Sequence, residues 1–176
     1  MRVTGGIYRS RVLKAPKGNA TRPTEDRTKE AMFSIIMPFL GMSDVLDIFS
    51  GSGALGIEAI SRGANSVTFI DNDKNAIDVI KENVESLGIT NHTIIFDDYH
   101  IISRLGRQFD IIMLDPPYKL DVIDEILYII DRCNLLKNHG IIVFESNDDK
   151  IVKEKEGYRI KNKKYGTNNL SIFYKL

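Results

Sequence analysis

The sequence holds a single cysteine, Cys133, among 176 residues, and no tryptophan. One cysteine excludes an internal disulfide and any multi-cysteine metal site. Histidine is scarce too. His92, His100 and His139 stand at no ligand spacing, so no metal is expected. No apolar run approaches the roughly 20 residues of a membrane span. The opening MRVTGGIYRSRVLK lacks the apolar core of a signal peptide. A cytoplasmic protein without membrane contact is the expectation, and a monomer the expected state.

Net charge is also missing, but only in total. Residues 1–29 hold eight Lys/Arg against two Asp/Glu, and residues 150–176 again eight against two. Residues 30–149 hold eight against twenty. Two basic ends around an acidic centre suggest a polyanionic partner, although solvated ends would look the same. The length suits one domain with a real core, and an apolar fraction of 43% is ordinary for a soluble protein.

Along the chain, RVTGGIYRSRVLKAP reads as a short β-hairpin carrying Arg2, Arg9, Arg11 and Lys14. TRPTEDRTKEAMFSII then reads as a helix with Thr24 as N-cap, ended by Pro38 and Gly41. Strand and helix alternate after it. Strands are expected at 45–49, 67–70, 93–96, 109–114 and 140–145. Helices are expected at 54–62, 74–87, near 99–105, and at 122–132. Short apolar strands alternating with helices predict a parallel sheet covered on both faces. The tail, 158–164 and 170–176 around YGTNN, reads as a hairpin.

The first strand runs into VLDIFSGSGALGIEAISRG. Gly51-x-Gly53-x-x-Gly56 fits the dinucleotide fingerprint, with Asp71 at the end of the next strand. Glycines let a backbone approach a nucleoside ligand, and Asp71 can accept from ribose hydroxyls. Phe49 and Ser50 lead into the loop and Asn72 follows the acid; all three join the cofactor-binding set. Asp47 selects the cofactor. A pyrophosphate would meet its carboxylate unfavourably, whereas the ammonium of S-adenosylmethionine, which carries no phosphate, would be welcome. Asp98 after the third strand can accept from an adenine amino group with Tyr99 nearby, and can equally cap the helix that follows.

LDPPY ends the fourth strand, beside the first in a sheet of this winding. Two prolines fix the backbone and supply no N–H groups. Asp115 and the Pro116 carbonyl then form a compact acceptor pair for an exocyclic amino group, stiffened by Pro117. Tyr118 offers a face on which a base can stack. A plain strand terminator with a capping acid is the bland alternative.

GGIYRSRVL, TRPTEDRTKEAMFSII, VLDIFSGSGALGIEAISRGA, DIIMLDPPY and KKYGTNNLSIFY together resemble the bacterial 16S ribosomal RNA guanine-N2 methyltransferases, the RsmD-like family. These are class I S-adenosylmethionine-dependent enzymes. The resemblance covers nearly the whole chain. It implies a Rossmann-like α/β fold with a seven-stranded, mostly parallel sheet, an antiparallel last strand, helices on both faces and a short N-terminal β-hairpin. It implies one methyltransferase domain over 1–176, with 1–22 a basic arm facing RNA. Cofactor contacts are implied at Asp47, Gly51, Gly53, Asp71 and Asp98, and catalysis at Asp115, Pro116, Pro117 and Tyr118. Arg9, Arg11 and Arg22 would lie near phosphates. Thr24 and Arg27 would line the pocket mouth or simply cap the helix. The implied partner is 16S rRNA, free or in the 30S subunit, and the cofactor product S-adenosylhomocysteine. Asp71 stands where family members often carry Glu.

DPPY is shared with other amino methyltransferases, so adenine N6 in DNA or in another RNA is the alternative substrate. A small NAD(P)-dependent oxidoreductase is disfavoured by Asp47 and DPPY. A non-catalytic scaffold is disfavoured because both motifs are intact.

Overall fold

The computed structural model describes residues 1–16, 23–117, 120–147 and 151–176, without the side chains of 23–26. Arg22 and Tyr118, and the side chain of Thr24, therefore lie outside the described residues.

A helix α1 (Pro23–Leu40) precedes the alternation β1 (Asp44–Ile48), α2 (Ala54–Ser61), β2 (Ser66–Asp71), α3 (Lys74–Ser86) and β3 (His92–Phe96). A 3-10 helix at Tyr99–Arg104 follows. Then come β4 (Phe109–Leu114), α4 (Ile123–Arg132), β5 (Leu136–Asn147), β6 (Tyr158–Tyr165) and β7 (Asn168–Lys175). One sheet takes the order β3-β2-β1-β4-β5-β7-β6. β7 runs antiparallel to both β5 and β6, and the remaining pairings are parallel. The winding reverses between β1 and β4, the position where open α/β sheets hold ligands at the carboxyl ends of their strands.

Strand alternation sorts the core. In β4, Ile111 and Met113 join one apolar cluster with α1, α2 and α3. Ile112 and Leu114 join another with α4 and the 3-10 helix. Helices on both faces explain why the strands are apolar almost throughout.

The strands and helices follow the sequence-based expectations closely. The exceptions are instructive. α1 begins at Pro23, so Thr24 lies inside the first turn instead of capping it, and the proline takes the place where a missing N–H matters least. Pro38 does not end the helix: it sits in the last turn, which continues to Leu40, where it forfeits only one backbone bond. β5 is longer than expected, reaching from Leu136 to Asn147.

The N-terminal segment forms the expected short hairpin: Arg2 and Val12 make an antiparallel bridge, Val3 N–H donates to the Arg11 carbonyl at 2.9 Å and Leu13 N–H to the Met1 carbonyl at 3.0 Å. The residues of its turn bind α2. Thr4 N–H and Gly5 N–H donate to the Glu58 carboxylate at 2.9 and 2.8 Å. Ile7 N–H donates to the Ser61 carbonyl and Tyr8 N–H to the Ser61 hydroxyl. Glu58 is fully buried on α2 and also pairs with Arg62 at 2.7 Å and Lys29 at 3.6 Å. A buried carboxylate survives only with such partners. Gly6 has φ +76°, and a Cβ there would overlap the Ser61 carbonyl. The segment is a short hairpin docked as a strap on α2.

Candidate functional site

The loop after β1 turns on backbone that only some residues accept. Phe49 takes φ +65° and Gly51 φ +55°. Ser50 is buried, accepts from Ile70 N–H at 3.0 Å and donates to the Asp47 carbonyl at 2.7 Å. It thus clips β1 to β2. The glycines divide the work. A Cβ on Gly51 would meet nothing within 4 Å, so its face is open to a ligand. Gly53 precedes α2 with φ +77°. A Cβ on Gly56 would stand 2.3 Å from the Phe69 ring, so this glycine lets α2 press onto β2.

Three carboxylates line the β1–β3 end of the crevice. Asp47 is buried, and its Oδ2 accepts from Gly56 N–H at 3.0 Å. Its Oδ1 is buried with no partner. Burial pushes its pKa up to about 7; the Gly56 bond opposes this and the Asp71 charge adds to it. Asp71 accepts from Gly51 N–H at 2.8 Å and Asp73 N–H at 2.9 Å, locking the loop to the end of β2. Asn72 beside it is exposed. Asp98 does cap the 3-10 helix: it accepts from His100 N–H at 2.8 Å and lies 2.8 Å from His100 Nδ1. These bonds hold its carboxyl below the usual range.

Sequence reasoning missed two members of this cluster. His100 Nε2 lies 3.2 Å from Glu125 on α4, and the Tyr99 hydroxyl donates to Glu125 at 2.6 Å. The Glu125 bond pushes the Tyr99 phenol up to about 12. The Asp98 bond holds His100 above its ordinary value. Tyr99 stacks on His100 at 4.1 Å and lies 5.8 Å from Phe49. His100 stands two residues from Asp98, but nothing local in the sequence announces Glu125.

On the other side of the reversal, β4 delivers the LDPPY motif. Asp115 and Pro117 are exposed and Pro116 is buried. The Pro117 carbonyl accepts from Leu120 N–H at 2.8 Å. Among the described residues no N–H is bonded to the Pro116 carbonyl. Pro116, Pro117 and Leu120 line a pocket with Phe144, Glu145 and Ser146 at the end of β5. β1 and β4 are neighbours, with Asp47 opposite Met113. Asp115 is two residues further on, so strand spacing puts the two aspartates roughly 8 Å apart at Cα. The glycine loop and the LDPPY motif thus share one edge.

Arg11 of the strap does not share it. Arg9 and Arg11 are exposed, but Arg11 reaches the Ser86 carbonyl at the far end of α3. That helix is 13 residues long, so Arg11 sits about 20 Å from the crevice edge. Arg27 is exposed near the start of α1. A basic row the motif search left unused lies on the outer strand: Arg159, Lys161 and Lys163 alternate along β6. Arg159 and Lys161 lie over the Tyr174 ring at 4.9 and 5.7 Å. Among the described residues no carboxylate pairs with these three. No group of metal-ligating side chains occurs among the described residues, and no helix there is long and apolar enough to cross a membrane.

Comparison with known proteins agrees with the geometry. The family model described as conserved hypothetical protein 95 matches residues 1–174. The Bacillus subtilis protein YlbH is 37% identical over 182 residues, covering 99% of both chains. The Haemophilus influenzae protein named ribosomal RNA small subunit methyltransferase D is 32% identical, covering 91% of this chain and 86% of its own. The solved structure of Escherichia coli yhhF superposes with a TM-score of 0.89 at 27% identity, covering 99% of this chain and 97% of its own.

Proposed function

We infer the function from one premise: the chain belongs to the family described as conserved hypothetical protein 95, an RsmD-like group of class I S-adenosylmethionine-dependent methyltransferases. On that footing the protein methylates ribosomal RNA, and the acceptor is the exocyclic N2 amino group of a guanine in 16S rRNA of the small subunit. The observation that carries this reading is the shared edge. A half-satisfied buried Asp47 and an open Gly51 face stand next to an Asp115-Pro116 acceptor pair.

The residues present fit the cofactor. Asp47 Oδ1 is an orphaned buried acceptor, and such an atom calls for a donor or a cation. The ammonium of S-adenosylmethionine is both, and the molecule brings no phosphate to oppose the carboxylate. Asp71 would take the ribose hydroxyls with its remaining lone pairs, flanked by Asn72. Asp98 would take the adenine amino group. Phe49, Tyr99, Ser50 and Gly53 would shape the walls. When bound, the cofactor supplies an electrophilic methyl group, and it leaves as S-adenosylhomocysteine.

The chain's own contribution is to hold the amino group. Its nitrogen is a poor nucleophile because the lone pair is delocalised into the base. Asp115 and the Pro116 carbonyl accept its two N–H groups and turn the lone pair towards the cofactor side, so the gain comes mostly from positioning. Positive charge develops on that nitrogen, and the same two acceptors stabilise it. Asp115 or water then takes the proton. Pro117 stiffens the loop and Tyr118 offers a stacking face. A paired guanine would have to leave its helix first.

RNA reaches this edge along basic surface. Arg27 lies near the start of α1, and Arg22 and Thr24, which precede Arg27 in the sequence, belong to the same proposed RNA-facing set. Arg9 and Arg11 meet RNA further out, and the β6 row adds Lys161 and Lys163. The test is to incubate the protein and labelled S-adenosylmethionine with unmodified 16S RNA, free and in 30S particles. N2-methylguanosine is the expected product. N6-methyladenosine, or no label in either form, contradicts the assignment.

A further inference from the structure

An Asp-Pro acceptor pair suits the amino group of guanine and of adenine equally, so selectivity needs another residue. β4 and β5 are parallel neighbours with Leu114 opposite Phe144. One step on, Asp115 and Glu145 stand side by side, about 4.8 Å apart by strand spacing. They continue the alternation of Met113 and Val143, which share one face of the sheet. Glu145 lines the same pocket as Pro116 and Pro117. It is half-buried, and its Oε1 accepts from the Asn168 amide on β7 at 2.7 Å. That bond ties the side chain to β7, and a carboxylate carries roughly four acceptor positions in all.

We propose that Glu145 reads the Watson–Crick edge of the target base by accepting the N1–H of guanine, and so selects guanine over adenine. The proposal rests on the guanine-N2 reading given above. Guanine presents N1–H and the N2 amino group as adjacent donors. A row of two acid side chains on neighbouring strands offers adjacent acceptors to match. Adenine presents an N1 lone pair beside its amino group, which would face the Glu145 carboxylate with no proton between them. Burying such an unmatched pair is a strong ground for rejection. Asn168 is a positioning residue, because it acts through the Glu145 carboxylate.

The discriminating probe is 2-aminopurine, which keeps the 2-amino group but has no proton on N1. It is placed at the methylated position of a 16S fragment once that position is mapped. The full-length protein should prefer guanine to 2-aminopurine by roughly a hundredfold in kcat/KM. Glu145→Gln offers an amide that can donate to N1, so the preference should narrow to within about threefold, with S-adenosylmethionine affinity and melting temperature unchanged. Asn168→Ala should weaken the preference in the same direction but less. A wild-type ratio near one overturns the proposal. So does an unaltered ratio in Glu145→Gln or, if that variant does not fold, in Asn168→Ala. Failure of the wild type to methylate guanine at all overturns the guanine reading beneath it instead.

Discussion

The carboxyl edge of the sheet has two halves, and they are built differently. On the β3-β2-β1 half, Asp71, Asp98 and Asp47 all accept backbone N–H groups of their own chain. On the β4-β5 half, Pro116, Pro117 and Glu145 line a pocket, with the exposed Asp115 next to Pro116. The first half is tied down before any ligand arrives, because Asp71 and Asp47 accept N–H groups of the glycine loop and of the α2 it leads into. The second places the exposed Asp115 and the half-buried Glu145 beside that pocket. Under the proposed function, the first half takes the constant cofactor and the second a base that must be brought in.

Breaking the acceptor half should give the largest effect. Asp115→Ala is expected to lower kcat by about a hundred- to a thousandfold, the scale of losing one charge-stabilising acceptor, measured as methyl incorporation at saturating RNA.

Asp47→Asn attacks the other half and should show a trade. Affinity for S-adenosylmethionine should fall by about tenfold or more in calorimetry. Stability should move the other way. Asp47 is held near pH 7 when folded and at 3.8 ordinarily. Between about pH 4 and 7 the folded chain keeps a proton that the unfolded chain has released, so stability falls as pH rises through that window and levels off above it. The penalty above pH 7 is on the order of a few kcal/mol, and the asparagine variant should melt higher there. Cofactor binding should also release a proton below pH 7, seen as a buffer-dependent binding heat.

The basic row of β6 sharpens the substrate side. Register carries the level of Glu145 through Leu170 to Lys163, so this lysine stands at catalytic height. Reversing Lys161 and Lys163 to Glu should weaken RNA binding and lower its salt slope by about two, without changing cofactor affinity. His100→Asn should do least. His100 is raised by its bonds to Asp98 and Glu125, so its contribution is full below about pH 6.5 and fades as pH rises through the folded value. The variant should flatten a small decline in cofactor affinity over that range. An unchanged pH profile would mean the histidine does not support Asp98.

The cofactor half was largely legible in the sequence. Glycine spacing, Asp47 and Asp71 lie within 25 residues, and strand-helix alternation fixes their end of the sheet. DPPY was legible for the same local reason. What was not legible depends on contacts between distant segments. Glu58 reads as an ordinary helix-surface acid, yet it is the buried anchor of residues 4 and 5. The N-terminal hairpin was legible from its alternation, but its docking on α2 was not, because period alone does not say which surface a turn meets. Glu125 reaches His100 and Asn168 reaches Glu145 only through the fold.

The division of the edge is tested most directly by calorimetric titration of S-adenosylmethionine into Asp115→Ala. The cofactor half is complete without this residue, so the dissociation constant should stay within about threefold of wild type. A loss of tenfold or more would mean that Asp115 belongs to the cofactor site, and the two-half account would fail.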